Sequence, residues 1–99
     1  MLKKNYTKTG KFCRVTFKFH PEAEAESIQL MGDFNEWGTK KKQMLKKCKD
    51  GSFSLTVSLP ANSNYRFRYL CNENSWQNDQ NADGYEWNKF GSQNAIVNT

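Results

Sequence analysis

One stretch of this chain decides its fold, and it reads Met31-Gly32-Asp33-Phe34-Asn35-Glu36-Trp37. Just upstream, Ile28 and Leu30 recur at every second position, which is typical of a β-strand. Gly32 and Asp33 then favour a tight turn. We therefore expect a short strand that ends in a polar turn, with the indole of Trp37 lifted out of the strand end.

A second indole is presented in the same way. Trp76 follows the run Tyr65-Arg66-Phe67-Arg68-Tyr69-Leu70, in which apolar and basic residues alternate. Cys71 and the polar stretch Asn72-Glu73-Asn74-Ser75 separate the end of this run from the indole. The sequence thus predicts two tryptophans on polar loops, each just beyond a strand.

Further segments alternate with period two, as strands with one buried face do. Their inward positions are predicted to be Cys13, Val15, Phe17 and Phe19, then Phe53, Leu55, Val57 and Leu59, then Tyr65, Phe67, Tyr69 and Cys71. The dipeptide Asp50-Gly51 is a strong turn signal, so we expect a hairpin that joins Met44-Leu45 to the strand beginning at Phe53. Ala95-Ile96-Val97 offers a short closing strand.

The segments between these strands lack helical periodicity. Residues 21–26 read as an acidic loop, and residues 72–89, rich in Asn, Asp and Gln, read as an ordered surface loop packed by Tyr85 and Trp87. Long loops in small domains are often functional. The sum is an all-β protein, a β-sandwich of about seven short antiparallel strands.

Length and composition agree with that class. The chain has 99 residues, enough for a single domain over residues 1–99, and we expect residues 1–10 to be a flexible or edge amino-terminal segment. Apolar residues make up 36% and aromatic residues 14%. This mixture favours a core built from Phe and Tyr.

The charge and the cysteine content limit which partners and which cellular compartment the sequence favours. The net charge is +5, with lysines concentrated between Lys40 and Lys49. No Gly-rich loop organises them, so nucleic acid is a disfavoured partner and solvated lysines are the simpler interpretation. The three cysteines form no CxxC pair, which argues for reduced thiols, and no membrane-length apolar run is present. A cytoplasmic location follows as an expectation, and Met1 with the polar end Asn98-Thr99 fits a complete small protein.

Nothing in the sequence predicts an enzyme. The loop carboxylates are Asp33, Glu36, Asp79, Asp83 and Glu86, and none lies in an apolar setting that would raise its pKa. The single histidine, His20, lies at a strand end, where a solvent-facing role is the simpler interpretation. We expect no catalytic residue, no metal site and no cofactor.

The two tryptophans on loops favour a sugar-binding function instead. Sugar rings stack their apolar faces on aromatic side chains while their hydroxyls bind Asn, Ser and Arg. Trp37 and Trp76 lie among such residues, and Arg68 projects from the strand that leads to Trp76. The alternative is that each indole caps the open end of the sandwich core.

Three motifs carry a family resemblance. They are Leu30-Met31-Gly32-Asp33-Phe34-Asn35-Glu36-Trp37, then Tyr65-Arg66-Phe67-Arg68-Tyr69-Leu70, then Asn88-Lys89-Phe90-Gly91-Ser92-Gln93-Asn94-Ala95-Ile96-Val97. In this order they resemble the motifs of carbohydrate-binding module family 48, whose members are also called isoamylase amino-terminal or early-set domains. This family includes the glycogen-binding domain of the AMP-activated protein kinase beta subunit. The resemblance covers roughly residues 12–97.

The resemblance implies an immunoglobulin-like early-set sandwich that binds α-1,4-linked glucan, such as glycogen, starch or maltooligosaccharides, without cleaving it. It implies that Trp37 and Trp76 stack on glucose and that Arg68 hydrogen-bonds sugar hydroxyls. It further implies an apolar contact from Phe90 and polar contacts from Ser92 and Asn94. Two departures are the longer turn at residues 71–75 before Trp76 and the bulk of Phe90.

Two other function classes stay open at this point. One is a protein-interaction module of the same fold that docks on a glycogen-metabolising enzyme and has lost the sugar. The other is nucleic-acid binding through residues 40–49, which would weaken steeply with salt.

Overall fold

A computed structural model describes residues 2–21 and 25–99. Residues 22–24 of the expected acidic loop lie outside the described part. The described residues form ten strands: β1 (Lys3–Tyr6), β2 (Phe12–Phe19), β3 (Ile28–Gly32), β4 (Gln43–Met44), β5 (Lys46–Lys47), β6 (Phe53–Pro60), β7 (Asn64–Cys71), β8 (Ser75–Gln77), β9 (Gly84–Trp87) and β10 (Gln93–Asn98). A 3₁₀ helix, Asp33–Gly38, follows β3.

The strands form two antiparallel sheets. One sheet has the order β1-β2-β6-β5, and the other has the order β4-β3-β7-β10-β9, with β8 paired to β7. The expected all-β sandwich is confirmed. The number of strands exceeds the expected seven because β1, β4, β5, β8 and β9 are pieces of two to four residues. Such pieces are too short to show a period in sequence.

The core lies between the inner faces of the sheets. Phe17 of the first sheet meets Phe67 of the second edge-to-face, with ring centroids 5.0 Å apart. Val15, Leu30 and Val97 are fully buried in the same core. Inward positions alternate with outward ones along β2 and β7 as the sequence predicts, so the outer face of each sheet is free to carry polar side chains.

The hairpin prediction is right about the turn and wrong about one of its strands. Asp50-Gly51 does join two strands, but the upstream one is β5, whose Lys47 pairs with Phe53. Met44 instead pairs with Gln29 of the other sheet. Leu45 is buried between the two pairings, and its amide donates to the Ile28 carbonyl at 2.9 Å. The chain therefore changes sheets at Leu45, and β5 pairs through its backbone at an exposed edge where apolar side chains are not required.

Residues 72–89 are more ordered than an irregular loop. They contain β8, which continues the edge of β7 beyond the point where β10 leaves it, and β9, which pairs with β10. Leu70 lies opposite both Gln29 and Trp76, so all three residues lie on the outer face of the larger sheet. The β8 strand thereby brings Trp76 onto the same face as the strand that leads to Trp37.

Candidate functional site

The turn after β3 is held together by Asn35, which is only 2% exposed. Its Oδ1 accepts hydrogen bonds from the amides of Gly32 and Gly38, at 3.0 and 3.1 Å. Its Nδ2 donates to the Leu30 carbonyl and to Oε1 of Gln43, both at 2.9 Å. One side chain thus ties the start and the end of the turn to the end of β3.

The backbone of this turn is strained where it presents the indole. Glu36 and Trp37 both adopt left-handed conformations, with φ of 50° and 55°. This region is unfavourable for residues with a Cβ, at a cost of about 1–3 kcal/mol each. The Asn35 hydrogen bonds on either side supply the constraint that such a conformation requires.

Gly38 lets the turn fold closely over the sheet. Its φ is +88°, and a Cβ there would lie 2.7 Å from Sδ of Met31 and 3.1 Å from Nε2 of Gln29. The turn therefore lies directly on the outer face of β3. Trp37 is half-buried as a result instead of projecting freely into solvent.

Asp33 sets the orientation of the Trp37 ring. Its Oδ1 accepts a hydrogen bond from the indole Nε1 at 3.1 Å, and its Oδ2 accepts one from the Arg66 amide at 2.9 Å. Because Arg66 belongs to β7, this carboxylate connects the indole to the neighbouring strand. The indole N–H is thus bound to protein and does not point to solvent.

The two tryptophans meet on the outer face of the larger sheet. The ring centroids of Trp37 and Trp76 are 6.5 Å apart and the ring planes are inclined by 62°. Trp76 is 43% exposed, and neither indole belongs to the buried core. The longer turn before Trp76 therefore does not separate the pair; the two rings form an angled aromatic cradle, the name used below for Trp37 and Trp76 together.

Arg68 borders this cradle and forms no ion pair with any residue in the described part of the chain. Its guanidinium carbon lies 5.6 Å from the centre of the Trp76 ring, and its Nε is buried without a hydrogen-bond partner in the structure. Burial lowers the pKa of this guanidinium. Two residues earlier, Arg66 forms ion pairs with Glu86 and, with a smaller effect, Asp33, and both raise the pKa of Arg66. Of the two arginines on this face, Arg68 is the one with donors available for a ligand.

Asn94 lies on the same face as Arg68. The last pair between β10 and β7 joins Ala95 to Phe67, and both of these side chains are buried. Their neighbours Asn94 and Arg68 therefore face outward at the point where the two strands separate. Oδ1 of Asn94 accepts a hydrogen bond from Asn88 at 3.4 Å, and Nδ2 is the donor that this contact leaves available.

Phe90 and Ser92 lie on a different feature, the turn between β9 and β10. Asn88 organises it, since its Oδ1 accepts from the amides of Phe90 and Ser92 and its Nδ2 donates to the Ser92 hydroxyl. Phe90 is 82% exposed at the tip. Within residues 2–21 and 25–99 its ring makes no aromatic contact with the cradle. The structure brings Trp37, Trp76 and Arg68 together, places Asn94 on the same face as Arg68, and leaves Phe90 in solvent.

The sequence was compared with models of known families. The model described as the glycogen recognition site of AMP-activated protein kinase matches residues 13–99. The chain belongs to this glycogen-recognition family. No curated protein matches the chain significantly.

Four of the five loop carboxylates of this glycogen-recognition module have structural partners. Asp79 is buried and accepts a hydrogen bond from the Tyr69 hydroxyl at 2.8 Å. Burial, together with the Asp79 charge, raises the pKa of Tyr69. Asp83 binds Lys4 of β1 at 2.6 Å, and Glu86 binds Arg66. These groups, like Asp33, hold elements of the module in place.

This family member contains three cysteines. Its cysteines, Cys13, Cys48 and Cys71, are free thiols. No group of three His, Cys, Asp or Glu side chains arranged for a metal ion is found among the described residues. The structure, over the same ranges, contains no helix long and apolar enough to cross a membrane.

One aromatic prediction is wrong. Trp87 was expected to pack the loop of residues 72–89, but it is 69% exposed at the edge strand β9. Tyr85 does contact that loop, because its hydroxyl donates to the Asp79 carbonyl. The backbone pairing of β9 with β10 supplies the order that a packed indole was expected to give.

Sequence reasoning missed the residues that build the site without touching a ligand. Asn35 and Asn88 each organise a turn through several hydrogen bonds, and Gly38 permits the close approach to β3. In sequence they resemble ordinary turn residues. Gly38 carried a signal, since glycine adopts the left-handed conformation in turns without steric cost.

Proposed function

We propose that this protein is a non-catalytic module that binds α-1,4-linked glucan, in which Trp37 and Trp76 stack on consecutive glucose rings. The observation that carries the proposal is the juxtaposition of the aromatic cradle with Arg68, a cation that forms no ion pair within residues 2–21 and 25–99. A guanidinium carries several N–H donors, and those that no protein group engages can donate to sugar hydroxyls.

The angle of the cradle favours an α-linked chain. An α-1,4-linked glucan curves, so its successive rings are inclined to one another, whereas a β-1,4-linked glucan is a flat ribbon. Two indole rings inclined by 62° match the inclined glucose rings of a curved chain better than they match the single flat face of a β-linked chain. Flat chains would require coplanar indoles.

Polar groups would fix the position of the chain along the cradle. Arg68 supplies charged donors and Asn94 supplies an amide on the same outer face. Both orient hydroxyls, and the mechanism requires no ion and no cofactor. Asp33 acts indirectly, because it holds the Trp37 indole through Nε1.

The affinity of such a site for one oligosaccharide is expected to be modest. A dissociation constant on the order of tens of micromolar to millimolar corresponds to ~4–6 kcal/mol. Several modules on a branched polymer would raise the apparent affinity through avidity. The free thiols fit a reducing compartment, so cytoplasmic glycogen or starch fragments are the polymers that this proposal favours.

The test is intrinsic tryptophan fluorescence during titration with maltoheptaose and, in parallel, with cellohexaose. We expect a saturable change with the α-linked sugar alone, because only that sugar fits the cradle. An equal response to cellohexaose would contradict the assignment to α-glucan. No response to either sugar, in protein shown to be folded by circular dichroism, would favour a docking module on a glycogen-metabolising enzyme instead.

A further inference from the structure

The smaller sheet differs in charge from the rest of the molecule. Its four strands β1, β2, β5 and β6 contain no Asp or Glu. They contain six basic residues, Lys3, Lys4, Arg14, Lys18, Lys46 and Lys47. This asymmetry lies on the sheet that takes no part in the aromatic cradle.

Strand alternation places four of these cations on the outer face. Cys13, Val15 and Phe17 are buried, so Arg14 and Lys18 of β2 point outward. Lys3 pairs with the outward Thr16, and Lys46 pairs with Ser54, the partner of Lys18. All four cations are exposed.

The outer face is arranged in three rows across the strands. The rows are Asn5, Arg14 and Ser58, then Lys3, Thr16 and Thr56, then Lys18, Ser54 and Lys46. Successive rows are separated by two residues along each strand, or about 6.8 Å. Every row contains at least one cation and at least one hydroxyl. We call these three rows the basic face.

Little on the protein neutralises the basic face. In the described part of the chain, the ion pair on this face joins Lys18 to Asp50 at 3.5 Å, with both side chains more than half exposed. A pair of this kind contributes little. The hydroxyls of Thr16 and Thr56 bind each other at 2.9 Å, which keeps the centre of the face flat and polar.

We propose that the basic face is a docking surface for an acidic polypeptide segment that lies extended along β2 and carries carboxylates at alternate positions. Alternate side chains of an extended chain recur at about 6.8 Å, which matches the spacing of the rows. Arg14 binds a carboxylate in bidentate fashion, and lysines with neighbouring hydroxyls bind the others. Charge and spacing are therefore both complementary to such a partner.

A single-stranded nucleic acid fits this face less well. Its bases need aromatic platforms between the cations, and the three rows contain none. Phe12, 46% exposed, lies one row beyond Arg14 and pairs with Pro60. One aromatic at the margin offers stacking for a single base only.

The basic face and the aromatic cradle lie on the outer faces of opposite sheets. A segment bound to one leaves the other accessible, so the module would connect a glucan to an acidic partner. Failure of sugar binding would consequently leave this inference intact, and the reverse also holds.

The test uses fluorescently labelled synthetic peptides and the complete chain. One peptide carries Glu at alternate positions, and a second has the same composition with its Glu residues contiguous. We expect the alternating peptide to bind at low salt at least about fivefold more tightly than the contiguous one. Equal binding of both peptides would overturn the spacing argument, and tighter binding of an oligothymidine of equal charge would overturn the choice of partner.

Matched variants locate the surface. Arg14→Gln with Lys18→Gln removes two charges from the basic face, and Lys40→Gln with Lys41→Gln removes two exposed charges outside the strands. We expect the first variant to lose about tenfold in peptide affinity and the second to lose less than twofold, with maltoheptaose binding unchanged in both. Equal losses in the two variants would show that net charge, not the basic face, attracts the peptide. Thermal midpoints verify that both variants fold.

Discussion

Nε1 of Trp37 lies 3.1 Å from Oδ1 of Asp33, and the same carboxylate accepts the amide hydrogen bond of Arg66 through its other oxygen. The indole is therefore not simply an exposed aromatic at a turn. Its ring plane is fixed relative to β7, the strand that also carries Arg68. The Trp37 indole and the Arg68 guanidinium of the candidate site are thus both positioned by β7.

We expect Asp33→Asn to weaken maltoheptaose binding several-fold. The amide keeps one acceptor oxygen, so either the Trp37 indole or the Arg66 amide loses its partner and the ring plane loosens. Isothermal titration calorimetry measures the affinity, and steady-state anisotropy reports indole mobility. Glu36→Gln is the control, since Glu36 is exposed on the same turn and its side chain forms no hydrogen bond within the described residues. Equal losses in both variants would show that charge on the turn, and not the bond to Trp37, supports binding.

Replacing either indole of the cradle is expected to abolish retention on a glycogen matrix. Trp37→Ala and Trp76→Ala each remove one of the two stacking surfaces, and we expect a loss of about tenfold or more, which is ~1.4 kcal/mol or more. Trp87→Ala removes an indole of greater exposure that lies outside the cradle, so its retention is expected to match the unmodified protein. Affinity electrophoresis in glycogen gels gives the comparison. Unfolding of the first two variants would assign both indoles to structure, and loss in Trp87→Ala would extend the site to β9.

The sequence predicted those parts of the fold that depend on side-chain alternation. The inward faces of β2 and β7 agree residue by residue, because period two is visible over eight residues. The sequence did not predict β5 and β8, because these strands are held by backbone pairing at sheet edges and contain mainly polar residues. It also placed Met44 in the wrong sheet, since the crossing at Leu45 depends on which side of the core that side chain enters.

The residues of the candidate site likewise fall into those that the sequence predicted and those that it did not. Trp37, Trp76 and Arg68 were chosen for their chemistry, and the structure brings them together. Phe90, chosen through the family resemblance, lies exposed on another turn, and its role stays a prediction. The supporting roles of Asn35 and Asp33 depend on left-handed backbone and on contacts between distant strands, which no local pattern of residues encodes.

We expect Asn35→Ala to destabilise the protein by about 2–4 kcal/mol and to abolish sugar binding. The substitution leaves the Gly32 and Gly38 amides and the Leu30 carbonyl without the partner that Asn35 provides. Without these bonds the turn loses the contacts on both sides of Glu36 and Trp37 that offset the strain of their left-handed backbone. Urea denaturation followed by circular dichroism measures the stability. Asn74→Ala, at an exposed position of another turn, should change it by less than about 0.5 kcal/mol, and an equally small change in Asn35→Ala would show that the turn is held by other contacts.

The last prediction concerns the turn at Asp50 and Gly51. The hydroxyl and then the amide of Ser52 donate to Asp50, and with a smaller contribution from Lys18 they lower the pKa of this carboxyl from 3.8 to about 2. A depressed folded-state pKa means that the charged form stabilises the fold above the unfolded-state pKa, and that this contribution is lost as pH falls from about 4 to about 2. We expect the thermal midpoint of Asp50→Asn to lie below that of the unmodified protein at neutral pH and the difference to disappear near pH 2. Glu86, whose pKa is lowered by Arg66, titrates in both proteins, so the difference isolates Asp50. A difference that stays constant from pH 7 to pH 2 would mean that the amide disturbs the turn by its shape and that the charge contributes nothing.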